Sequence, residues 1–274
     1  MRVTCVVDNA ARRSSPFWGE HGLAFLIENE GANVLLDTGQ SGTVLLHNLA
    51  LLEVDPRHID AVVLSHAHYD HTGGLAALLE QAPGLPLFAH PDIFRERFSR
   101  RKTGIESIGL ALGREELAQR AELHLNAEPT EVAPGIWTTG EIALRPEPEG
   151  RSARHLVREG EGWAPDPYRD DQALVLKTGK GLVVLCGCCH AGLLNTLAHV
   201  RRIFGQEIIA VAGGTHLVSA DEAQLRHVVA ALREEYGSPL LHLNHCTGER
   251  AYMILAQAFG ERVAHCPAGT VLRF

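Results

Sequence analysis

Ser65-His66-Ala67-His68-Tyr69-Asp70-His71-Thr72-Gly73-Gly74 follows directly on the apolar run Ala61 to Leu64 and packs three imidazoles and a carboxylate into six positions. On a strand running into a turn, alternate side chains face the same way, so His66 and His68 converge on one ion. Asp70 and His71, one turn on, then reach a second ion beside the first. Imidazole with carboxylate suits zinc, and also iron, manganese or nickel. The expected cofactor is therefore one or two divalent metal ions, zinc first among them. A polar, histidine-rich surface loop is the competing reading, but the order H-x-H-x-D-H is a far more demanding match than a lone glycine motif.

The stretch resembles the signature of the metallo-β-lactamase superfamily, and the resemblance continues along the chain. Val34-Leu35-Leu36-Asp37-Thr38-Gly39 is similar to that family's upstream strand and aspartate turn. Val183-Val184-Leu185-Cys186-Gly187-Cys188 is similar to its later strand ending in Gly-Asp, and Leu243-Asn244-His245-Cys246 to its last ligand strand. The resemblance implies an α/β fold, a four-layer αββα sandwich, and a metal set of His66, His68, Asp70, His71, His190 and His245. Two departures stand out. Cys188 occupies the place of the bridging aspartate, where it is either a thiolate ligand or a buried packing residue, and the second reading is preferred because His190 lies only two residues on. The family's middle histidine has no counterpart; Glu141, in Thr138-Thr139-Gly140-Glu141, stands near its place as a ligand, a substrate contact or a plain strand-end carboxylate.

A chain of 274 residues buries roughly three quarters of its unfolded surface as one unit, so a single domain over 1–274 is expected. The formal charge is 25 minus 33, or −8, and Ser99-Arg100-Arg101-Lys102 is the one basic run, so no nucleic-acid partner is expected. Met1 to Asp8 lacks a long apolar segment and reads as a first strand. No run approaches the ~18 apolar residues that span a bilayer, so no membrane association is expected. Cys5, Cys186, Cys188, Cys189, Cys246 and Cys266 lack the spacing of a disulfide scaffold, which implies reduced thiols and a cytoplasmic setting.

The first third alternates strand patterns (2–8, 23–28, 33–37, 59–64, 86–89) with helical ones (42–52, 75–81), and the last hundred residues do the same. Between them, at about 91–171, periodicity weakens: 92–100 and 114–120 read as helices, and the rest is rich in Pro, Gly and charge. A long irregular run inside a domain is more often a functional cover than a linker, so a lid-like insertion over the active site is expected.

Two clustered cations lower the pKa of bound water from about 16 toward about 7, so the expected activity is metal-dependent hydrolysis by a metal-bound hydroxide. Asp70, if only partly engaged as a ligand, can also take a proton. Glycines in Gly213-Gly214-Thr215-His216 let backbone N–H groups approach an anion, and Thr215 and His216 add donors; His21 and Glu141 complete the expected substrate contacts. The expected partner is a small anionic or phosphorylated substrate. The order of these motifs is similar to a subgroup that includes archaeal dihydropterin-type ribofuranosylaminobenzene phosphate synthases and metal-dependent hydrolases. Synthesis is thus the rival reading, with Phe17, Trp18, Trp137, Trp163 and Tyr168 as possible walls of a pterin slot. A non-catalytic metal-binding sensor is the third, and the largely intact ligand set speaks against it.

Overall fold

Val34 and Leu36 bury into one apolar layer while Leu35, between them, buries into another. That period of two marks a strand covered on both faces. Val183 and Leu185 divide from Leu182 and Val184 in the same way. In the computed structural model, which describes residues 1–274, these strands lie in two seven-stranded sheets. The first runs, in spatial order, Val271–Arg273, Arg2–Val7, Ala24–Asn29, Ala32–Leu36, Ala61–Val63, Leu85–Ala89, Ala121–Leu125. The second runs Val263–His265, Leu240–Leu243, Ile208–Gly213, Gly181–Cys186, Ala173–Thr178, Ile136–Thr138, Glu131–Ala133.

Phe25, Ile27, Leu174 and Leu176 fill the layer between the sheets. Helices Gly42–Leu51, Leu75–Gln81 and Arg114–Arg120 cover the outer face of the first sheet through Leu45, Leu49, Leu75, Leu78 and Leu117. Helices Leu193–Phe204, Glu222–Glu234 and Glu249–Phe259 cover the second through Leu197, Leu225, Val228 and Leu255. The result is the expected αββα order. Four neighbouring strands from Ala32 to Leu125 are mutually parallel, as are four from Gly181 to His265. Their carboxyl ends, where ligands bind in open α/β sheets, carry Asp37, the turn at 65–71, Cys188 and His245.

The stretch 91–171 is more regular than its composition suggests. Ala121–Leu125 extends the first sheet, and Glu131–Ala133 with Ile136–Thr138 extends the second. The remainder forms a third sheet in the order Gly162–Pro165, His155–Glu159, Arg97–Arg101, Gly104–Ser107. The helix expected over 92–100 is instead a short 3-10 turn at Pro91–Phe94 and a strand at Arg97–Arg101. Tertiary partners override the local pattern there, because Arg97 is drawn wholly inward by Asp92, Asp166 and Asp170. The strand Val263–His265 was not foreseen. No helix is long and apolar enough to cross a membrane.

Candidate metal centre

The turn at 65–71 is held from three sides. Asp37, at the end of Ala32–Leu36, accepts the backbone N–H of Ser65 at 2.7 Å and its hydroxyl at 2.7 Å. Asp170 accepts the N–H of Ala67 at 2.9 Å, and the Gln172 side chain donates to the Leu64 carbonyl at 3.0 Å. Arg97 in turn fixes Asp170 at 2.6 Å. The segment after the small sheet thus braces the backbone on both sides of His66.

Oxygen acceptors assign the tautomers of four histidines. His66 directs Nδ1 at Ser65 Oγ (2.9 Å), His71 directs Nδ1 at Asp37 Oδ2 (2.6 Å), His190 directs Nδ1 at the Gly150 carbonyl (2.9 Å), and His245 directs Nδ1 at Asn9 Oδ1 (3.0 Å). Each ring therefore turns Nε2 into the cleft, as metal-ligating histidines do when their far nitrogen is held by an oxygen.

Two donor groups meet there. Ring nitrogens of His66, His68 and His190 lie within 4.8 Å of one another, with His66 Nε2 and His68 Nδ1 3.0 Å apart. Beside them, His71 Nε2 is 3.2 Å from His245 Nε2, and Asp70 Oδ2 lies 3.4 Å from His245 and 3.7 Å from His71. Cys188 stands between the groups: its sulfur is 3.3 Å from His71 Nε2 and shares a cluster with His66 and His71. That position favours the ligand alternative for Cys188 over packing.

Nε2 of His68 and Nε2 of His190 are buried with no hydrogen-bond partner. A cluster of neutral imidazoles with unpartnered ring nitrogens is chemically suited to a cation. Burial, reinforced by neighbouring imidazoles, holds His66, His68 and His190 well below the usual histidine range, in the neutral form that binds metal. Burial opposes the charge on Asp70, but His71 and His245 outweigh it and hold the carboxyl well below its ordinary range. Burial likewise opposes charge on His71, yet Asp37 and Asp70 raise it to about 9. Burial and the adjacent Cys246 push the Cys188 thiol up, a balance that the charge of a cation inverts.

The expected substrate contacts divide. His21 joins the cleft, with Nε2 3.3 Å from Asp70 Oδ2 and its ring stacked 5.4 Å from His245. His216 lies 4.4 Å from the His190 ring, with burial lowering it to about 4. Thr215 is buried and gives its hydroxyl to Thr247 at 3.0 Å. Glu141 faces Arg169 (3.2 Å) and His90 (3.7 Å) and belongs to neither donor group.

Of the five aromatics, Tyr168 stacks on His190 at 4.2 Å and bonds His155 Nδ1 at 2.9 Å. Trp18 stacks on His47, Trp137 packs on Phe204, Trp163 meets Phe98 in the small sheet, and Phe17 lies against Gly269. His155, 4.9 Å from the His68 ring, and Cys246, clustered with Cys188 and His245, were not expected as site residues. Adjacency to His245 was a signal for Cys246; His155 gave none, lying where periodicity is weak. A cavity of about 470 Å³ opens against His245, lined also by Asp8, Asn9, Thr247, Tyr252 and His265.

The sequence model of the metallo-beta-lactamase superfamily matches residues 18–188. The chain is 32% identical over 288 aligned positions to the 7,8-dihydropterin-6-methyl-4-(beta-D-ribofuranosyl)-aminobenzene-5'-phosphate synthase of Methanocaldococcus jannaschii, covering 100% of this chain and 97% of that protein. It is 30% identical to an uncharacterized protein of the same organism, over 93% of this chain and 94% of that one. Among solved structures it is similar to Tm1679, a metal-dependent hydrolase of the beta-lactamase superfamily, with a TM-score of 0.86, 28% identity, and coverage of 100% of this chain and 99% of that one.

Proposed function

This chain belongs to the metallo-beta-lactamase superfamily, and from that premise we propose that it is a metal-dependent hydrolase of small anionic or phosphorylated molecules. The observation that carries the reading is the pair of adjoining donor groups, His66, His68 and His190 in one and Asp70, His71 and His245 in the other, with His190 Nε2 left unpartnered on the ring whose Nδ1 bonds Gly150. In this reading His66, His68 and His190 hold one divalent ion, and Asp70, His71 and His245 hold a second, with Cys188 between; zinc suits this mixed set best. Bound there, such ions lower the pKa of water toward neutrality and offset charge that develops on a reacting oxygen.

The chain's own residues do the rest. Asp37, Ser65, Gly150 and Asn9 orient the rings. Asp70, paired with His21 at the exposed rim, is placed to take a proton from the cleft. Tyr168 and His155 close one side above His190 and His68, which supports reading the small sheet and its flanks as the cover of the site. Burial keeps His155 and His216 neutral at pH 7, so they serve an anionic substrate as hydrogen-bond donors. Six unpaired thiols accord with a reducing, cytoplasmic setting.

A second reading is favoured by the full-length identity to the archaeal synthase: formation of a dihydropterin-linked ribofuranosylaminobenzene phosphate. Both readings share a phosphorylated substrate. The test is a screen of phosphomonoesters, phosphodiesters and lactones with wild type beside His68→Ala. Turnover of one class that vanishes in His68→Ala supports the hydrolase. No turnover in that screen, with product formed from a dihydropterin carrying an anionic leaving group on its methylene and a ribofuranosylaminobenzene 5'-phosphate, supports the synthase instead.

A further inference from the structure

We propose that Cys188 and Cys246 form, with His245, a thiolate face of this centre that selects a borderline or soft divalent ion such as zinc over magnesium, calcium or manganese. The inference rests on reading the cleft as a metal centre. The two sulfurs and a ring nitrogen of His245 lie within 4.8 Å of one another, close enough for one ion to engage all three. Cys188 also reaches His71 Nε2 at 3.3 Å, so the sulfur face is continuous with the imidazoles.

Three features of the Gly213 to His216 loop serve Cys246. The backbone N–H of His216 donates to Cys246 Sγ at 3.3 Å, the kind of outer contact that steadies a metal-bound thiolate. At Gly214, a Cβ would stand 2.6 Å from that sulfur and 2.4 Å from the Gly187 carbonyl, so only glycine leaves room for it. His216 takes a left-handed φ of 47°, a conformation that non-glycine residues rarely adopt and that concentrates at functional sites. The loop expected to cradle an anion thus turns its amide at His216 toward a sulfur.

His245 is shared between two faces of opposite character. On one side stand His21 and Asp70, and on the other Cys188 and Cys246. Oxygen donors suit magnesium, calcium and manganese, whereas thiolates suit zinc and softer ions. Each thiol loses its proton to solvent as the ion binds, so uptake releases protons.

Cobalt(II) is the probe. Thiolate ligation gives a sulfur-to-cobalt charge-transfer band in the near ultraviolet that imidazole and carboxylate do not. Metal-stripped, full-length protein reloaded with cobalt should show the band, and Cys246→Ser should reduce it to roughly half while the imidazole-bound cobalt remains. In the wild type, partly exposed Cys246 should react with iodoacetamide when stripped and be protected when loaded, a readout that needs no variant. Cobalt bound without the band, a full band in Cys246→Ser, or equal alkylation in both states overturns the proposal. Absence of any cobalt uptake by wild type instead sinks the underlying reading of the cleft, and this inference with it.

Discussion

His71 Nδ1 lies 2.6 Å from Asp37 Oδ2, and both side chains are wholly buried. The same carboxylate oxygen accepts the Ser65 hydroxyl, whose oxygen in turn faces His66 Nδ1. One aspartate on the first sheet therefore orients two rings that turn toward different donor groups. Asp37→Asn should keep the fold but weaken metal affinity by about 10- to 100-fold. Competition with a chromophoric chelator measures this, and unchanged affinity would remove Asp37 from the centre.

Arg97 is the single cation among Asp92, Asp166 and Asp170, at 3.2, 3.2 and 2.6 Å. Removing it strands buried carboxylates, so Arg97→Ala should destabilise the protein by about 3–5 kcal/mol. Denaturant unfolding reads the loss. Because Asp170 holds the N–H of Ala67, the same variant should also bind metal less tightly.

Burial raises Asp170 to about 7 despite Arg97. Between the unfolded value near 4 and about 7, the folded chain keeps a proton that the unfolded chain has released. Stability therefore falls as pH rises through that window, by up to about 4 kcal/mol from this group. Asp170→Asn should flatten the decline. Thermal midpoints from pH 4 to 8 compare the two slopes, and parallel slopes would contradict the assignment.

At Gly187 a Cβ would stand 2.1 Å from Ser65 Oγ and 3.1 Å from Asp37 Oδ2. The second sheet here closes directly on the hydrogen bonds that orient His66 and His71. Gly187→Ala should cost about 1–3 kcal/mol of stability and displace Ser65, which the fall in metal affinity would register. Unaltered stability and metal affinity would show that the contact is slack.

The regular elements were legible because strand and helix periods are local: the helix at 75–81 and the strand at 240–243 stand where the pattern places them. The donor-rich turn at 65–71 was legible because its residues are consecutive. His155 and Cys246 were not read as site residues, since their roles depend on which segments the topology brings together. Arg97 shows the same limit from the other side: its strand follows from three distant carboxylates, and no local pattern announces it. For Cys188 the nearness of His190 in sequence favours packing, and its 3.3 Å distance to His71 Nε2 reverses that preference toward the ligand alternative.

Metal content of protein purified without added metal, measured for wild type beside His68→Ala, tests the central claim most directly. The wild type should hold one to two equivalents of divalent ion, zinc foremost, and the folded variant should lose most of it. A wild type without metal, or a variant with its full complement, would contradict it.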